Sequence, residues 1–271
     1  MRLHVEVKGR GIPILCLHGH PGSGRSLAVF TEHLAQNYQT LAPDLRGYGQ
    51  SRCRGNFSME EHLLDLEELL DSHHIGACLL LGWSLGGILA LELALRNPQR
   101  YRGLILVATS ARPRGNHPPT SWQDLGFTLM AAGLNYLKPG WPWNIKTLAG
   151  RSLLRYLIYQ PNPQAYAYLA RDGTLAYLQT SLAAHRALNQ ALRAGYDRLG
   201  ELSGLKLPCL VLAGAEDRHI TCQSSLETAQ KLPNSQWRCY PNTAHLFPWE
   251  IPHQVLKDMD DWLNHLNLNF P

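Results

Sequence analysis

The chain has 271 residues, 45% of them hydrophobic and 17% charged, with a formal net charge of +4. That balance excludes a disordered chain, and no run reaches the roughly 18 consecutive apolar residues of a membrane span. The charge is uneven: residues 111–200 hold ten Lys/Arg against three Asp, whereas the remainder is net acidic by three.

In chain order, "MRLHVEVKGRG" is strand-like and lacks the apolar core of a signal peptide. "IPILCLHG" is a strand of strictly consecutive apolar residues, followed by the glycine-rich "HPGSGRS". "YQTLAPDLRG" is a second such strand. "FSMEEHLLDLEELLDSHH" is a helix whose Ser58 and Glu61 have capping-box spacing, with Leu63, Leu66 and Leu70 on one face. "ACLLLGWS" is a strand, "GGILALELALRNP" a helix stopped by Pro98, and "YRGLILVATS" another strand. From about Arg112 to Tyr196 no core strand is legible, and a Trp-, Tyr-, Leu- and Arg-rich block reads as mostly helical. "LPCLVLAGAED" and "SQWRCYPNT" then restore the strands, and "PHQVLKDMDDWLNHL" closes with an amphipathic helix. Apolar runs without alternation, separated by helices, predict an α/β fold whose mostly parallel sheet is covered on both faces. The strandless block is expected to lie over one edge of that sheet as a cap.

Cysteine usage points to a reducing cytoplasm. Cys16, Cys78 and Cys209 sit inside apolar runs, where a thiol packs as a small hydrophobe. No C-x-x-C spacing occurs, so neither a zinc site nor a disulfide framework is expected.

In a parallel sheet the ligand crevice lies beyond the carboxyl ends of the strands. Gly82-Trp83-Ser84-Leu85-Gly86 is a G-x-S-x-G turn at such an end, preceded by a strand and followed by a helix. A serine hydroxyl needs a base to become a nucleophile, and the base needs an acid to orient it. His245 falls in the loop after the last strand, alone among thirteen histidines in being so placed. Asp217 and Glu216 both follow the "VLAG" strand and compete for the acid. The loop after "LCLHG" and the turn after Ser84 expose backbone N–H groups, so those of His20 and Leu85 are the expected oxyanion donors. "GHPGSGRS" has neither P-loop nor dinucleotide spacing, and neither a cofactor nor a nucleic-acid partner is expected.

Five motifs together, "LHGHPGSGRS", "DLRGYGQS", "GWSLGG", "GAEDRHI" and "PNTAHL", resemble those of the α/β-hydrolase superfamily over nearly the whole chain. The resemblance implies a mostly parallel twisted sheet of eight strands flanked by helices. It implies a helical cap after strand six, dividing the chain into a core of 1–111 and 197–271 and a cap of 112–196. It favours Asp217 over Glu216, giving a triad of Ser84, Asp217 and His245, and assigns Asp44 and Arg46 to holding a loop. The activity implied is carboxylic ester hydrolysis through an acyl-enzyme. The elbow is similar to that of the pimeloyl-carrier-protein methyl ester esterases of biotin synthesis.

On that basis a small-molecule ester, carried by an acidic acyl carrier protein or coenzyme A, is the expected substrate. The basic block, with Arg112, Arg114, Arg151, Arg155, Arg171 and Arg186, would steer it. Trp83, Trp122 and Trp141 are the expected substrate contacts. Two alternatives stay open: a triad-retaining C–C hydrolase or lyase, and a non-catalytic receptor on the same scaffold. The chain is expected to act as a monomer or homodimer.

Overall fold

The computed structural model describes residues 1–266. Seven strands form one sheet: β1 (Val5–Lys8), β2 (Pro13–Leu17), β3 (Gln39–Pro43), β4 (Cys78–Trp83), β5 (Tyr101–Val107), β6 (Cys209–Gly214) and β7 (Ser235–Tyr240). Their spatial order is β1-β3-β2-β4-β5-β6-β7. Only β1 is antiparallel to its neighbour, pairing Val5 with Pro43 and Lys8 with Thr40.

The consecutive apolar runs have a direct cause. Along β2, Leu15 and Leu17 point into one core while Ile14 and Cys16 point into the other, and all four are fully buried. One core is closed by α2 (Met59–Ser72) and α3 (Leu85–Arg96), through Leu63, Leu66, Leu70, Leu89 and Leu93. The opposite core is closed by α1 (Ala28–Leu34) and the C-terminal helix through Phe30, Val255, Met259 and Trp262. The predicted capping box of α2 is present, with Glu61 accepting from the Ser58 backbone N–H at 2.8 Å and from its hydroxyl.

The eight-strand expectation is corrected to seven strands among the described residues. β1 forms one outer edge of the sheet, paired only with β3. The strandless block therefore follows the fifth strand counted along this chain. It contains α4 (Trp122–Leu137), α5 (Pro142–Thr147), α6 (Pro163–Tyr168), α7 (Thr174–Gln179) and α8 (Leu182–Arg193). Beyond it lie α9 (Cys222–Lys231), the single turn α10 (Phe247–Glu250) and α11 (Pro252–Asn264).

The inserted helices are tied to the loops at the carboxyl ends of the strands. The Ser181 N–H donates to the Gly47 carbonyl at 2.9 Å, the Tyr168 hydroxyl to the Ser26 carbonyl at 3.2 Å, and the Leu246 N–H to the Leu157 carbonyl at 2.8 Å. Those loops carry the site. No helix among the described residues is long and apolar enough to cross a membrane.

Candidate active site

Ser84 sits on the turn between β4 and α3 with φ +55° and ψ −117°, a conformation that L-residues rarely adopt. The turn can be this sharp because its flanking glycines admit no side chain. A Cβ on Gly82 would lie 2.3 Å from the Gly86 carbonyl oxygen, and one on Gly86 would lie 2.0 Å from that of Leu17. The Ser84 N–H is held by the Val107 carbonyl at 2.9 Å, and the Thr109 hydroxyl donates to the Ser84 carbonyl at 2.8 Å. The hydroxyl is thereby presented at the sheet's rim, partly open to solvent.

His245 and Asp217 meet it there. His245 Nε2 lies 3.1 Å from Ser84 Oγ, and His245 Nδ1 lies 2.7 Å from Asp217 Oδ2. The second carboxylate oxygen of Asp217 accepts from the backbone N–H groups of His219 (2.8 Å) and Ile220 (3.1 Å). Asp217 is thus fully engaged, and its buried side chain fixes the imidazole's orientation. Glu216, the rival acid, is exposed and points its backbone rather than its carboxylate into the network, through an N–H bond to Thr243.

Both expected oxyanion donors have N–H groups without a protein acceptor among the described residues. Leu85 is the first residue of α3, where an N–H has no acceptor within the helix, and the helix terminus favours negative charge. The His20 N–H likewise donates to no protein acceptor among the described residues. The loop before it passes close to the nucleophile, since a Cβ on Gly19 would lie 2.9 Å from the Trp83 ring and 3.1 Å from Ser84 Cβ.

Buried neutral imidazoles hold this loop. His18 donates from Nδ1 to the Gly19 carbonyl at 2.8 Å and accepts at Nε2 from the Leu45 N–H at 3.1 Å. Burial pushes its pKa down to about 4, so it stays neutral, and the Leu45 N–H donated to Nε2 fixes the ring proton on Nδ1. Asp44 accepts from the N–H groups of Gly24 (2.7 Å) and Gln50 (2.8 Å), and Arg46 makes two 2.6 Å bonds to Asp65. Both therefore do the loop-holding work expected of them.

Trp83 walls the site. Its ring centroid is 5.6 Å from that of His245 and 4.9 Å from that of Trp249, on which Tyr168 of α6 stacks at 4.3 Å. The other two tryptophans expected at the substrate lie farther along the insertion. Trp122 opens α4 and is largely exposed, while Trp141 packs against Trp143 at 5.0 Å with Lys138 over its ring.

Several site residues were invisible to sequence reasoning. His185 of α8 had no role assigned, yet its Nδ1 is 2.9 Å from His20 Nε2, and His20 Nδ1 is 2.7 Å from the Tyr48 hydroxyl. His219 stands 5.0 Å from His245, ring to ring, and is bonded to His117 at 3.0 Å.

Glu250 is buried behind the histidine loop. It accepts from the N–H groups of Ala244 (2.8 Å), Tyr159 (3.0 Å) and Gln160 (2.7 Å), tying the residue before His245 to the insertion. Burial raises its pKa, and those N–H bonds oppose the rise. The only sequence signal was a carboxylate in an otherwise apolar "HLFPWEIP" run.

A family model for the alpha/beta hydrolase fold matches residues 12–252. The chain belongs to the alpha/beta hydrolase fold family. Among curated members of this family, it is 30% identical over 273 residues to the pimeloyl-[acyl-carrier protein] methyl ester esterase of Aeromonas hydrophila, covering 97% of this chain and all of that one. It is 29% identical to the 2-hydroxymuconate semialdehyde hydrolase of Pseudomonas putida, covering 97% and 90% of the two chains. Among solved alpha/beta hydrolases, a thermophilic esterase from Thermogutta terrifontis superposes with a TM-score of 0.71 at 25% identity, covering 97% of this chain and 93% of that one.

Proposed function

We propose that the chain is a serine hydrolase of carboxylic esters, with Ser84 as nucleophile, His245 as general base and Asp217 as the orienting acid. The observation that carries this reading is the imidazole of His245, bonded to Asp217 at 2.7 Å through one nitrogen and 3.1 Å from the Ser84 hydroxyl through the other. As Oγ attacks the ester carbon, His245 Nε2 takes its proton, and the imidazolium that forms faces the Asp217 carboxylate. The oxyanion is met by the N–H groups of Leu85 and His20, each worth roughly 2.7–4 kcal/mol of barrier in such a hole. Collapse expels the alcohol with the proton from His245 and leaves the acyl group on Ser84. Water, deprotonated by the same imidazole, then releases the acid and restores the serine.

The favoured substrate is an acyl ester on an acidic carrier. Two things support it: curated relatives named for that reaction, and the net positive charge of residues 111–200. Not every candidate arginine is free for that role. Arg112 pairs with Glu227 and Asp197, and Arg155 with Asp124. Arg114, Arg151, Arg171 and Arg186 are exposed and make no ion pair among the described residues. The similarity to a 2-hydroxymuconate semialdehyde hydrolase favours a second reading, C–C bond hydrolysis by the same three residues.

A series of p-nitrophenyl esters of increasing acyl length, tested beside a meta-cleavage product, separates the two. Ester turnover with an acyl-enzyme burst, abolished in Ser84→Ala, supports the first reading. Turnover confined to the meta-cleavage product supports the second, and no turnover of either overturns both.

A further inference from the structure

Two of the six cysteines stand sulfur to sulfur. Cys222 opens α9, Cys239 is the fifth residue of the outer strand β7, and their Sγ atoms are 2.6 Å apart. Both residues are half-buried, within reach of small solutes. The other cysteines are placed differently. Cys16, Cys78 and Cys209 are fully buried, which pushes the Cys78 and Cys209 thiols up to about 12. Cys53 is half-buried, with no second sulfur bonded to it among the described residues.

The contact is fixed by the elements that carry it. Side chains alternate along a strand, so Ser235, Trp237 and Cys239 share the face of β7 that α9 covers. The Ser235 hydroxyl donates to the Ala229 carbonyl of α9 at 2.6 Å, and Trp237 packs on the core that holds Ala229 and Leu232. At the other end of α9, the Thr221 hydroxyl caps the helix by accepting from the Ser224 N–H at 3.2 Å. The Thr221 N–H in turn donates to the Arg114 carbonyl at 2.9 Å. Cys222 is thus held at a pinned helix end, against a strand whose next residue, Tyr240, is buried. A disulfide bond is about 2.05 Å long, so the two sulfurs have roughly half an ångström to close.

The chemistry divides between the two thiols. Burial and the adjacent Cys239 sulfur push the Cys222 thiol up to about 12, so Cys222 holds its proton. Cys239 is then the sulfur that meets an oxidant, and Cys222 the one that resolves the product. The Cys239 thiolate attacks one oxygen of hydrogen peroxide, the O–O bond breaks, and hydroxide leaves with Cys239 as a sulfenic acid. The Cys222 sulfur displaces the sulfenic hydroxyl, and its proton departs with that group as water. In total the two thiols lose two hydrogens, and one hydrogen peroxide becomes two waters.

We propose that Cys222 and Cys239 are a peroxide-sensitive thiol pair that closes to a disulfide and staples α9 to β7. The bridge lies five residues after Asp217 and six before His245, so it joins the stems of the two loops that carry them. No spacing motif announces it, because a helix and a strand supply one thiol each. The bridge requires nothing of the reaction proposed for Ser84.

The test treats the full chain with a small excess of hydrogen peroxide, blocks the remaining thiols with N-ethylmaleimide and maps tryptic peptides by mass spectrometry. Cleavage after Arg218, Lys231, Arg238 and Lys257 leaves each of the two cysteines alone in its peptide, 219–231 and 239–257. The expected product is these two peptides joined, lighter by two hydrogens, and separated again by dithiothreitol. Closing a loop of 17 residues should also raise the thermal midpoint of the oxidised native chain by about 5 °C over the reduced one. C222S/C239S, treated alike, should show no such rise, and the native comparison stands by itself if that variant does not fold. Both peptides recovered alkylated would overturn the proposal, as would 239–257 recovered as a sulfinic acid with 219–231 alkylated. A joined peptide found only in a covalent dimer on a non-reducing gel would overturn it too. Equal midpoints for the bridged and reduced native chains would overturn the stapling of α9 to β7.

Discussion

Asp217→Asn has an outcome that the backbone around it decides. In the native chain one carboxylate oxygen serves two N–H donors, those of His219 and Ile220, and the other serves His245 Nδ1. The amide has one oxygen to share. Turning its NH2 toward the two backbone donors would leave both unpaired, at about 1–3 kcal/mol each. The oxygen therefore stays with them, and the NH2 faces His245. Nδ1 must then accept, so the ring proton moves to Nε2 and points at Ser84 Oγ, where no base remains. A wrong tautomer of this kind costs roughly 10⁴-fold in kcat, or about 5.4 kcal/mol of barrier. The assay is steady-state hydrolysis of p-nitrophenyl acetate at neutral pH, with circular dichroism to verify the fold. A loss below tenfold in a folded variant would refute the role given to Asp217.

Three further outcomes follow from named contacts. His62 is buried, its Nδ1 has no partner among the described residues, and burial pushes its pKa down to about 4. The unfolded chain, titrating near 6.5, takes up that proton first, so this residue costs nothing above pH 6.5 and destabilises the fold progressively as pH falls toward 4. In urea titrations, His62→Leu should lose less stability between about pH 7.5 and 5 than the native chain, by roughly 2 kcal/mol; equal losses would contradict it. Glu250→Gln offers an NH2 where a backbone N–H seeks an acceptor, so urea titration should show a loss of about 1–3 kcal/mol. The same variant should lower kcat more than it changes KM, because Ala244 adjoins His245. Gly86→Ala drives a methyl group into the Leu17 carbonyl at 2.0 Å and should abolish turnover, read together with the thermal midpoint.

What was legible in the chain was what local pattern encodes. Strands buried on both faces announce themselves as unbroken apolar runs, and β2, β4 and β6 lie where those runs are. Ser84, Asp217 and His245 could be picked out because each follows a strand, and parallel strands deliver their following loops to one edge. The residues themselves read as seven strands, β1 among them, and the count of eight came only from the resemblance.

Long-range polar pairings were illegible. His185 reads as one more residue of an amphipathic helix until the fold brings it 2.9 Å from His20, 165 residues away. Glu250 stands out only as a carboxylate in an apolar run, and its partners Tyr159 and Gln160 come from the insertion about 90 residues away.

The central claim is that the His245 imidazole activates the Ser84 hydroxyl, and active-site labelling tests it without knowledge of the substrate. The native chain is to be treated with a fluorophosphonate probe, digested and mapped, beside His245→Ala. The account predicts a single modified peptide bearing the label on Ser84, with the labelling rate sharply reduced in His245→Ala. A label on another residue, or an undiminished rate in that variant, would contradict it.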